Sequence, residues 1–120
     1  MTALNILGTP LAVCSTDPMT GWHRDGCCNT DANDQGRHVV CAIVTEDFLA
    51  FSRAVGNDLS TPRPEYQFPG LKPGDRWCLC AARWEEARLA GFAPDIVPEA
   101  THARAVDYTA LGHLQAHSAG

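Results

Sequence analysis

The chain has 120 residues, of which 45% are hydrophobic and 19% charged, and this size and composition predict one globular domain over residues 1–120. Its net charge of −5 argues against a nucleic-acid partner and an anionic membrane partner, because both attract basic surfaces. No apolar run approaches the roughly 18 residues of a membrane helix. No basic residue precedes the first apolar run as in a secretory signal, so we expect a cytoplasmic protein.

The first third of the chain predicts two extended pieces and then a long loop. Residues 4–14, LNILGTPLAVC, are apolar on both sides of a Gly-Thr-Pro turn signal. Residues 15–36 are rich in Gly, Asp, Asn and Thr and show no periodicity. Loops of this length are often functional, so we expect an ordered loop that carries part of a site.

Residues 37–45, RHVVCAIVT, predict a central strand covered on both faces, because they are β-branched and almost continuously apolar. Thr45 is then expected to cap a helix that continues to about Val55 and ends at Gly56. A second long loop follows at residues 57–75.

The second half of the chain predicts shorter elements. The loop at residues 57–75 ends in the sequence KPGD, which is typical of a type II turn with Gly74 at positive φ. The elements expected after it are a strand at RWCLCAA (76–82), a helix at RWEEARLAG (83–91), a short edge strand at Ile96 and Val97, and a final helix from Thr109. Because strands and helices interleave without a regular βαβ rhythm, the predicted fold is α+β, with a short mixed or antiparallel sheet and two to three helices.

Six cysteines are the most unusual feature of the composition. In a cytoplasmic protein, where disulfides are mostly reduced, they are interpreted as buried small side chains, metal ligands or reactive thiols. Cys78 and Cys80 would share one face of their strand with Cα atoms about 6.6–6.8 Å apart. Their parallel Cβ directions disfavour a disulfide between them. We therefore expect both side chains to fill small gaps in the core.

Cys27 and Cys28 are the preferred candidates for chemistry. They lie in the first long loop beside His23, Arg24 and Asp25, and neighbouring cations lower the pKa of a thiol and make it nucleophilic. Cys28, Cys27 and Asp25 are therefore the candidate catalytic residues. The alternative is an Asp-Gly turn that Arg24 anchors through backbone carbonyls.

The leading hypothesis for function is a site that binds a small anionic molecule and is lined by thiol, Arg and Asp side chains. The two long loops would close over the strand ends, so that guanidinium groups bind the anion and a carboxylate orients it. The candidate ligand-binding residues are Arg24, His23, Asp58, Arg76 and Trp77. The residues name no reaction, and whether the chain is an enzyme stays open.

Two other hypotheses remain. The first is a zinc-stabilised structural or adaptor module with Cys14, Cys41, Cys78 and Cys80 as ligands, although no pair of cysteines has standard zinc spacing. The second is a protein-binding module in which the cysteines are only structural. Its recognition surface would consist of Trp22, Trp77, Trp84 and Tyr66, unless these aromatic side chains belong to the core.

Five segments together resemble one family: LGTPLAVCS, TGWHRDGCCNT, HVVCAIVT, GNDLSTPRPEYQFPGLKPGDRWCLCAARW and APDIVPEATH. The chain resembles the bacterial and plant family called domain of unknown function 2237, from about Asn5 to Leu114. The resemblance implies a small stand-alone domain whose pattern includes the cysteines, residues 24–26, residues 57–58 and residues 75–77. Trp22 stands where the pattern suggests Phe or Tyr. The resemblance implies no activity.

Overall fold

The computed structural model describes residues 3–119, so residues 1, 2 and 120 of the predicted domain lie outside the described residues. The fold is α+β, as predicted, with a three-stranded antiparallel sheet and three α-helices. The elements are β1 (His38–Ile43), α1 (Glu46–Ala54), β2 (Arg76–Cys80), α2 (Ala81–Ala90), β3 (Asp95–Ile96) and α3 (Leu111–Ala116). Short 3₁₀ turns at Pro64–Tyr66, Pro98–Ala100 and Ala103–Asp107 punctuate the connecting segments.

The predicted central strand is confirmed. β1 lies between β2 and β3 and pairs antiparallel with both, and its four inner residues are buried. Along β2, Cys41 pairs with Cys78 and His38 pairs with Cys80, with a register irregularity between His38 and Val40. This register gives the two cysteines of the RWCLC segment different chemical neighbours on β1.

Helix α1 follows the sequence closely. The Thr45 hydroxyl accepts a hydrogen bond from the Phe48 N–H at 3.1 Å, which satisfies one of the N–H groups that lack a partner inside the helix. Gly56 has φ +92° just after the C-cap residue Val55, a conformation that glycine adopts without steric cost. The predicted start and stop signals are both confirmed.

Several predicted boundaries in the second half of the chain are wrong, and the expected edge strand at Ile96 and Val97 is Asp95–Ile96. The expected strand 76–82 ends at Cys80, and α2 begins immediately at Ala81. Alanine favours helix, and the Ala81 N–H bonds to the Arg37 carbonyl across the sheet edge, so β2 turns into α2 with no loop between them. The last helix begins at Leu111 rather than Thr109.

The main core includes Trp84, whose indole is fully buried and donates its N–H to the Pro94 carbonyl at 3.0 Å. For this residue the core alternative holds, and it cannot form part of a recognition surface. Val40 and Ala42 face the same core from β1. In the part of the chain that the structure describes, no helix is both long and apolar enough to cross a membrane.

A second buried cluster consists of Cys14, Cys28, Cys41, Cys78 and Ala100. The four cysteines form two disulfides, Cys14–Cys41 and Cys28–Cys78, while Cys27 and Cys80 are free. The expectation that the cysteines stay reduced is therefore wrong for four of them. The physical reason is proximity. Cys41 and Cys78 are cross-strand partners. Cys14 of the N-terminal segment lies against Cys41, and Cys28 of the first long loop lies against Cys78. As expected, Cys78 and Cys80 do not bond to each other.

Candidate functional site

The first long loop is fastened to β2 at one residue. Cys28 is bonded to Cys78, and the buried Thr20 hydroxyl accepts a hydrogen bond from the Cys78 N–H at 2.8 Å. Gly21 makes the turn between these two points at φ +102°, and a Cβ there would lie 2.4 Å from the Cys27 carbonyl oxygen. The first long loop therefore folds back against β2 and is held there at Cys78.

Three cavities border the indole of Trp77, and we call them together the Trp77 crevice. The first has a volume of about 240 Å³ and is lined by Gly21, Trp22, Arg24, His38, Trp77 and Cys78. The second, of about 210 Å³, has His38 and Cys80 in its wall. The third, of about 220 Å³, lies between Arg24 and Asp58. The crevice thus joins both long loops to β1 and β2.

Arg24 lies over Trp77, with its guanidinium carbon 5.6 Å from the ring centroid. Its Nη1 donates to the Met19 carbonyl at 3.1 Å, and its backbone has φ +55°. Among the described residues, no carboxylate lies within ion-pair distance of this guanidinium. A non-glycine residue with positive φ is held by its surroundings, and here the result is a cation at the mouth of the crevice.

Asp34 and His38 form a carboxylate–imidazole pair beside this cation. The Asp34 side chain is fully buried and accepts hydrogen bonds from His38 Nδ1 at 2.7 Å, the His38 N–H at 2.9 Å and the Thr30 hydroxyl at 3.1 Å. Burial by itself raises the pKa of Asp34, but the hydrogen bonds from the backbone and ring of His38, the charge of that ring and the Thr30 bond outweigh it. The pKa of Asp34 therefore lies below its ordinary value, and the carboxylate is ionised.

The imidazole of His38 is fixed from three sides although 38% of its side chain is exposed. Trp22 stacks on it with ring centroids 6.0 Å apart and an interplanar angle of 13°. Gly36 lies beneath it, and a Cβ on Gly36 would lie 2.9 Å from His38 Cε1. Because the ionised Asp34 can only accept, Nδ1 carries the proton of this hydrogen bond.

Cys80 is a free, half-buried thiol at the junction of β2 and α2. It is the cross-strand partner of His38, and both side chains border the second cavity together with Arg83. Cys80 is also the N-cap residue of α2, where no side chain caps the helix. First-turn N–H groups of a helix lack intrahelical partners. The Ala81 N–H bonds to the Arg37 carbonyl at 3.0 Å, which leaves the next N–H groups of that turn available to an acceptor.

The candidate catalytic residues of the first loop lie in different environments. Cys28 is fully buried and bonded to Cys78, so it offers no free thiol in this state. Burial raises the pKa of Cys27, and the charge of Asp25 raises it further, which is opposite to the direction expected from neighbouring cations. The Asp25 carboxylate accepts the Cys27 N–H at 3.0 Å and closes its own turn.

The candidate ligand-binding residues divide into two groups. Arg24, Asp58 and Trp77 line the Trp77 crevice together, although Asp58 also accepts the Thr61 hydroxyl at 2.6 Å within its own turn. His23 lies 3.6 Å from the Asp31 carboxylate, and Arg76 is exposed at the start of β2. These last two residues do not line the crevice.

Of the proposed zinc ligands, Cys14, Cys41 and Cys78 fall in the disulfide cluster, and their neighbour there is Cys28 rather than Cys80. The sulfur atoms of Cys14, Cys28 and Cys78 lie within 4.8 Å of one another. In the oxidised state these sulfurs are engaged in disulfides. A metal ion would need them as thiolates.

That Asp34, His38 and Cys80 form one group was not predicted from the sequence. The spacing of four residues between Asp34 and His38 carries no signal in a loop, because only helices place such pairs side by side. The pairing of His38 with Cys80 depends on a register that includes an irregularity. The sequence predicted both strands, but it carried no signal for which residues of the two strands face each other, because the register sets those pairs.

The chain matches a family along nearly all of its length. No curated protein matches it. A family described as "Uncharacterized protein conserved in bacteria (DUF2237)" matches residues 4–118, close to the limits of the resemblance at about Asn5 and Leu114. The chain therefore belongs to this family of uncharacterized proteins conserved in bacteria.

Proposed function

We propose that the Trp77 crevice binds a small anionic molecule. The observation that carries the proposal is Arg24: its guanidinium is fixed over the Trp77 ring at 5.6 Å with no carboxylate partner among the described residues. In a chain with net charge −5, a cation presented at a cavity without a partner favours a ligand that brings the negative charge.

The size and walls of the crevice support a small ligand with a flat apolar part. The cavity beside Arg24 has a volume of about 240 Å³, below the roughly 300–1,000 Å³ of sites for drug-sized molecules. Trp22 and Trp77 border it and provide flat faces for stacking. His38 adds a polar ring atom to the wall of the same cavity, so a carboxylate or similar anion is oriented by two groups.

The experiment titrates the protein separately with benzoate, succinate and inorganic phosphate. Binding is measured by tryptophan fluorescence and by calorimetry. We expect saturable binding of at least one of these anions. Arg24→Gln should weaken that binding by about 10–100-fold, because a hydrogen bond to a charged group contributes about 1.5–3 kcal/mol.

Arg104→Gln is the matched control, because Arg104 is an exposed arginine whose nearest carboxylate is Asp107 at 3.7 Å, and it should leave binding unchanged. The proposal is wrong if none of the three anions saturates the signal, or if Arg24→Gln binds as tightly as the unmodified protein.

A zinc-stabilised module is the second candidate, and the disulfide cluster is the observation that favours it. Four buried cysteines from the N-terminal segment, the first loop, β1 and β2 meet in one place. A Cys₄ set is a standard structural zinc site. Zinc binding would require both disulfides to be reduced first, so it is the alternative state of this cluster under reducing conditions.

A further inference from the structure

We propose that Asp34, His38 and Cys80 form a nucleophilic centre in which Cys80 attacks an acyl carbon, His38 is the general base and Asp34 positions the imidazole. The substrate class is a small anionic ester or thioester. For its anionic part the proposal rests on the function proposed for the Trp77 crevice. The nucleophile itself rests only on the geometry of β1, β2 and the preceding loop.

The arrangement of His38 is the first argument. A buried, ionised carboxylate that bonds Nδ1 at 2.7 Å fixes the tautomer and leaves Nε2 free to accept a proton, as in triads of nucleophile, histidine and carboxylate. Trp22 and Gly36 fix the plane of the same ring. A solvent-accessible imidazole with no structural task does not need three restraints, and a general base does, because proton transfer demands a set geometry.

The position of Cys80 is the second argument. It pairs with His38 across β1 and β2, and directly opposite residues of paired strands place their side chains on the same face of the sheet. Both side chains border one cavity of about 210 Å³. The thiol is free and half-buried, in contrast to the four sulfurs of the disulfide cluster. Of the two free thiols, Cys80 is therefore the one that borders the same cavity as the base.

Groups around Cys80 can stabilise the negative charge that develops on the carbonyl oxygen during acyl transfer. Cys80 begins α2, a helix of ten residues without an N-terminal side-chain cap or an acidic residue in its first turn. The Ala81 N–H bonds to the Arg37 carbonyl, and the remaining N–H groups of the first turn favour negative charge. The guanidinium of Arg83 borders the same cavity and pairs with Glu86 at 3.1 Å. Arg24 borders the neighbouring cavity, and Asp34 bonds His38 directly.

The reaction balances without a redox partner. The Cys80 proton passes to His38 Nε2 as Sγ bonds to the carbonyl carbon of the substrate. The bond from that carbon to the leaving oxygen or sulfur then breaks, and the leaving atom takes the proton from His38. Water hydrolyses the resulting thioester: His38 accepts a proton from the water, the C–Sγ bond breaks, and the proton returns to Cys80. The products are a carboxylic acid and an alcohol or thiol.

The first experiment measures the alkylation rates of both free thiols with iodoacetamide, resolved by peptide mass spectrometry from pH 5 to pH 9. Cys27 is the internal control, because burial and Asp25 raise its pKa. We expect Cys80 to react at least about 10-fold faster at pH 7, and His38→Gln to remove this advantage while the rate of Cys27 stays the same. Equal rates of Cys80 in the unmodified protein and in His38→Gln overturn the proposal.

Two further variants test positioning. Asp34→Asn should shift the pH profile of Cys80 alkylation towards that of His38→Gln, because the amide does not hold the same tautomer. Since a substitution at a buried residue can unfold the chain, Gly36→Ala is the second variant. Its Cβ displaces the His38 ring and leaves the Asp34 side chain unchanged. A folded Gly36→Ala protein with an unchanged pH profile contradicts the positioning role.

The last measurement separates this proposal from the anion site. The ratio of the iodoacetate rate to the iodoacetamide rate at Cys80 should exceed that at Cys27, and Arg24→Gln should lower the ratio at Cys80 towards that at Cys27. An unchanged ratio overturns the anionic substrate class and leaves the nucleophile standing. Incubation with 4-nitrophenyl acetate should add one acetyl group at Cys80, and acetylation that is absent, or equal at Cys27, overturns acyl transfer.

Discussion

A single buried carboxylate, Asp34, organises the polar end of β1. It accepts two hydrogen bonds from His38, one from the backbone and one from the ring, and a third from Thr30. Because a buried charge is tolerated only when hydrogen bonds replace its hydration, these contacts fix the loop and the imidazole together. The residues that shape the crevice are thus held by contacts formed before any ligand arrives.

Glu85 shows how a carboxylate of α2 contributes to stability as a function of pH. Arg88 donates two hydrogen bonds to it at 2.6 and 2.7 Å, and Thr109 donates a third at 2.8 Å. The hydrogen bonds from Arg88 lower the pKa of Glu85 from 4.5 to about 2, with Thr109 and the charges of Arg88 and His113 acting in the same direction against burial.

Since this pKa is lower in the folded state, the stabilisation is present above pH 4.5 and is lost as the pH falls towards about 2. We expect Glu85→Gln to lower the free energy of unfolding at pH 7 by about 1 kcal/mol, allowing for solvent screening of the pair. The variant should also lose less stability than the unmodified protein as the pH falls through this range. Urea unfolding at several pH values measures both effects. An acid dependence as steep as that of the unmodified protein would contradict the assignment.

At the level of elements, the N-termini of α1 and α2 differ in how their N–H groups are capped. α1 begins at a capped threonine, whereas α2 begins without a side-chain cap directly after β2. Uncapped helix N-termini leave N–H groups that need an acceptor. At the start of α2, next to Cys80, the backbone carbonyl of Arg37 accepts from the Ala81 N–H, and no side chain takes the place that Thr45 has in α1.

The cap of α1 gives a direct test of helix stability. Thr45→Ala removes the bond to the Phe48 N–H and should lower the free energy of unfolding by about 1 kcal/mol. Thr45→Ser keeps a hydroxyl and should cost much less. Denaturant unfolding of the two variants measures the difference, and similar stabilities would show that the cap does not contribute.

At the scale of the whole molecule, two crossed disulfides connect four segments. Cys14 bonds to Cys41 across 27 residues and Cys28 bonds to Cys78 across 50 residues, so each bond closes a loop that contains one cysteine of the other. They anchor the N-terminal segment and the first long loop to β1 and β2. Disulfides are typical of oxidising compartments, so they weigh against the expected cytoplasmic location, which stays a prediction.

Loss of each disulfide should lower the free energy of unfolding, because the unfolded chain regains loop-closure entropy. For the 50-residue separation the entropic estimate is about 4 kcal/mol. We therefore expect Cys28→Ala/Cys78→Ala to unfold at a clearly lower urea concentration than the unmodified protein. An unchanged midpoint would show that the bond does not restrain the chain.

The same comparison tests the zinc candidate when it is repeated on the fully reduced protein. If the four sulfurs bind zinc, added Zn²⁺ should restore much of the stability at one ion per chain, and a chelator should remove it. A reduced protein whose unfolding curve does not respond to Zn²⁺ contradicts a zinc-stabilised module.

Local patterns were enough for α1 and the centre of the sheet, and they failed where distant segments meet. The Thr45 and Gly56 signals depend on neighbouring residues, so they could be read directly. The end of β2 could not, because the chain bends into α2 where the Ala81 N–H meets the Arg37 carbonyl. In the same way, the roles of Cys28 and Cys80 depend on which residue faces each of them.

The amino-acid sequence by itself determined the α+β class, the central strand, the capped helix, the two long loops and the family, because each follows from local propensity, hydrophobic periodicity or a contiguous motif. Only the tertiary structure decided which thiols are bonded, that Arg24 lies over Trp77, and that Asp34, His38 and Cys80 lie together. Those relations depend on strand register and on loops returning to the sheet, and long-range pairings of this kind leave no periodic trace along the chain.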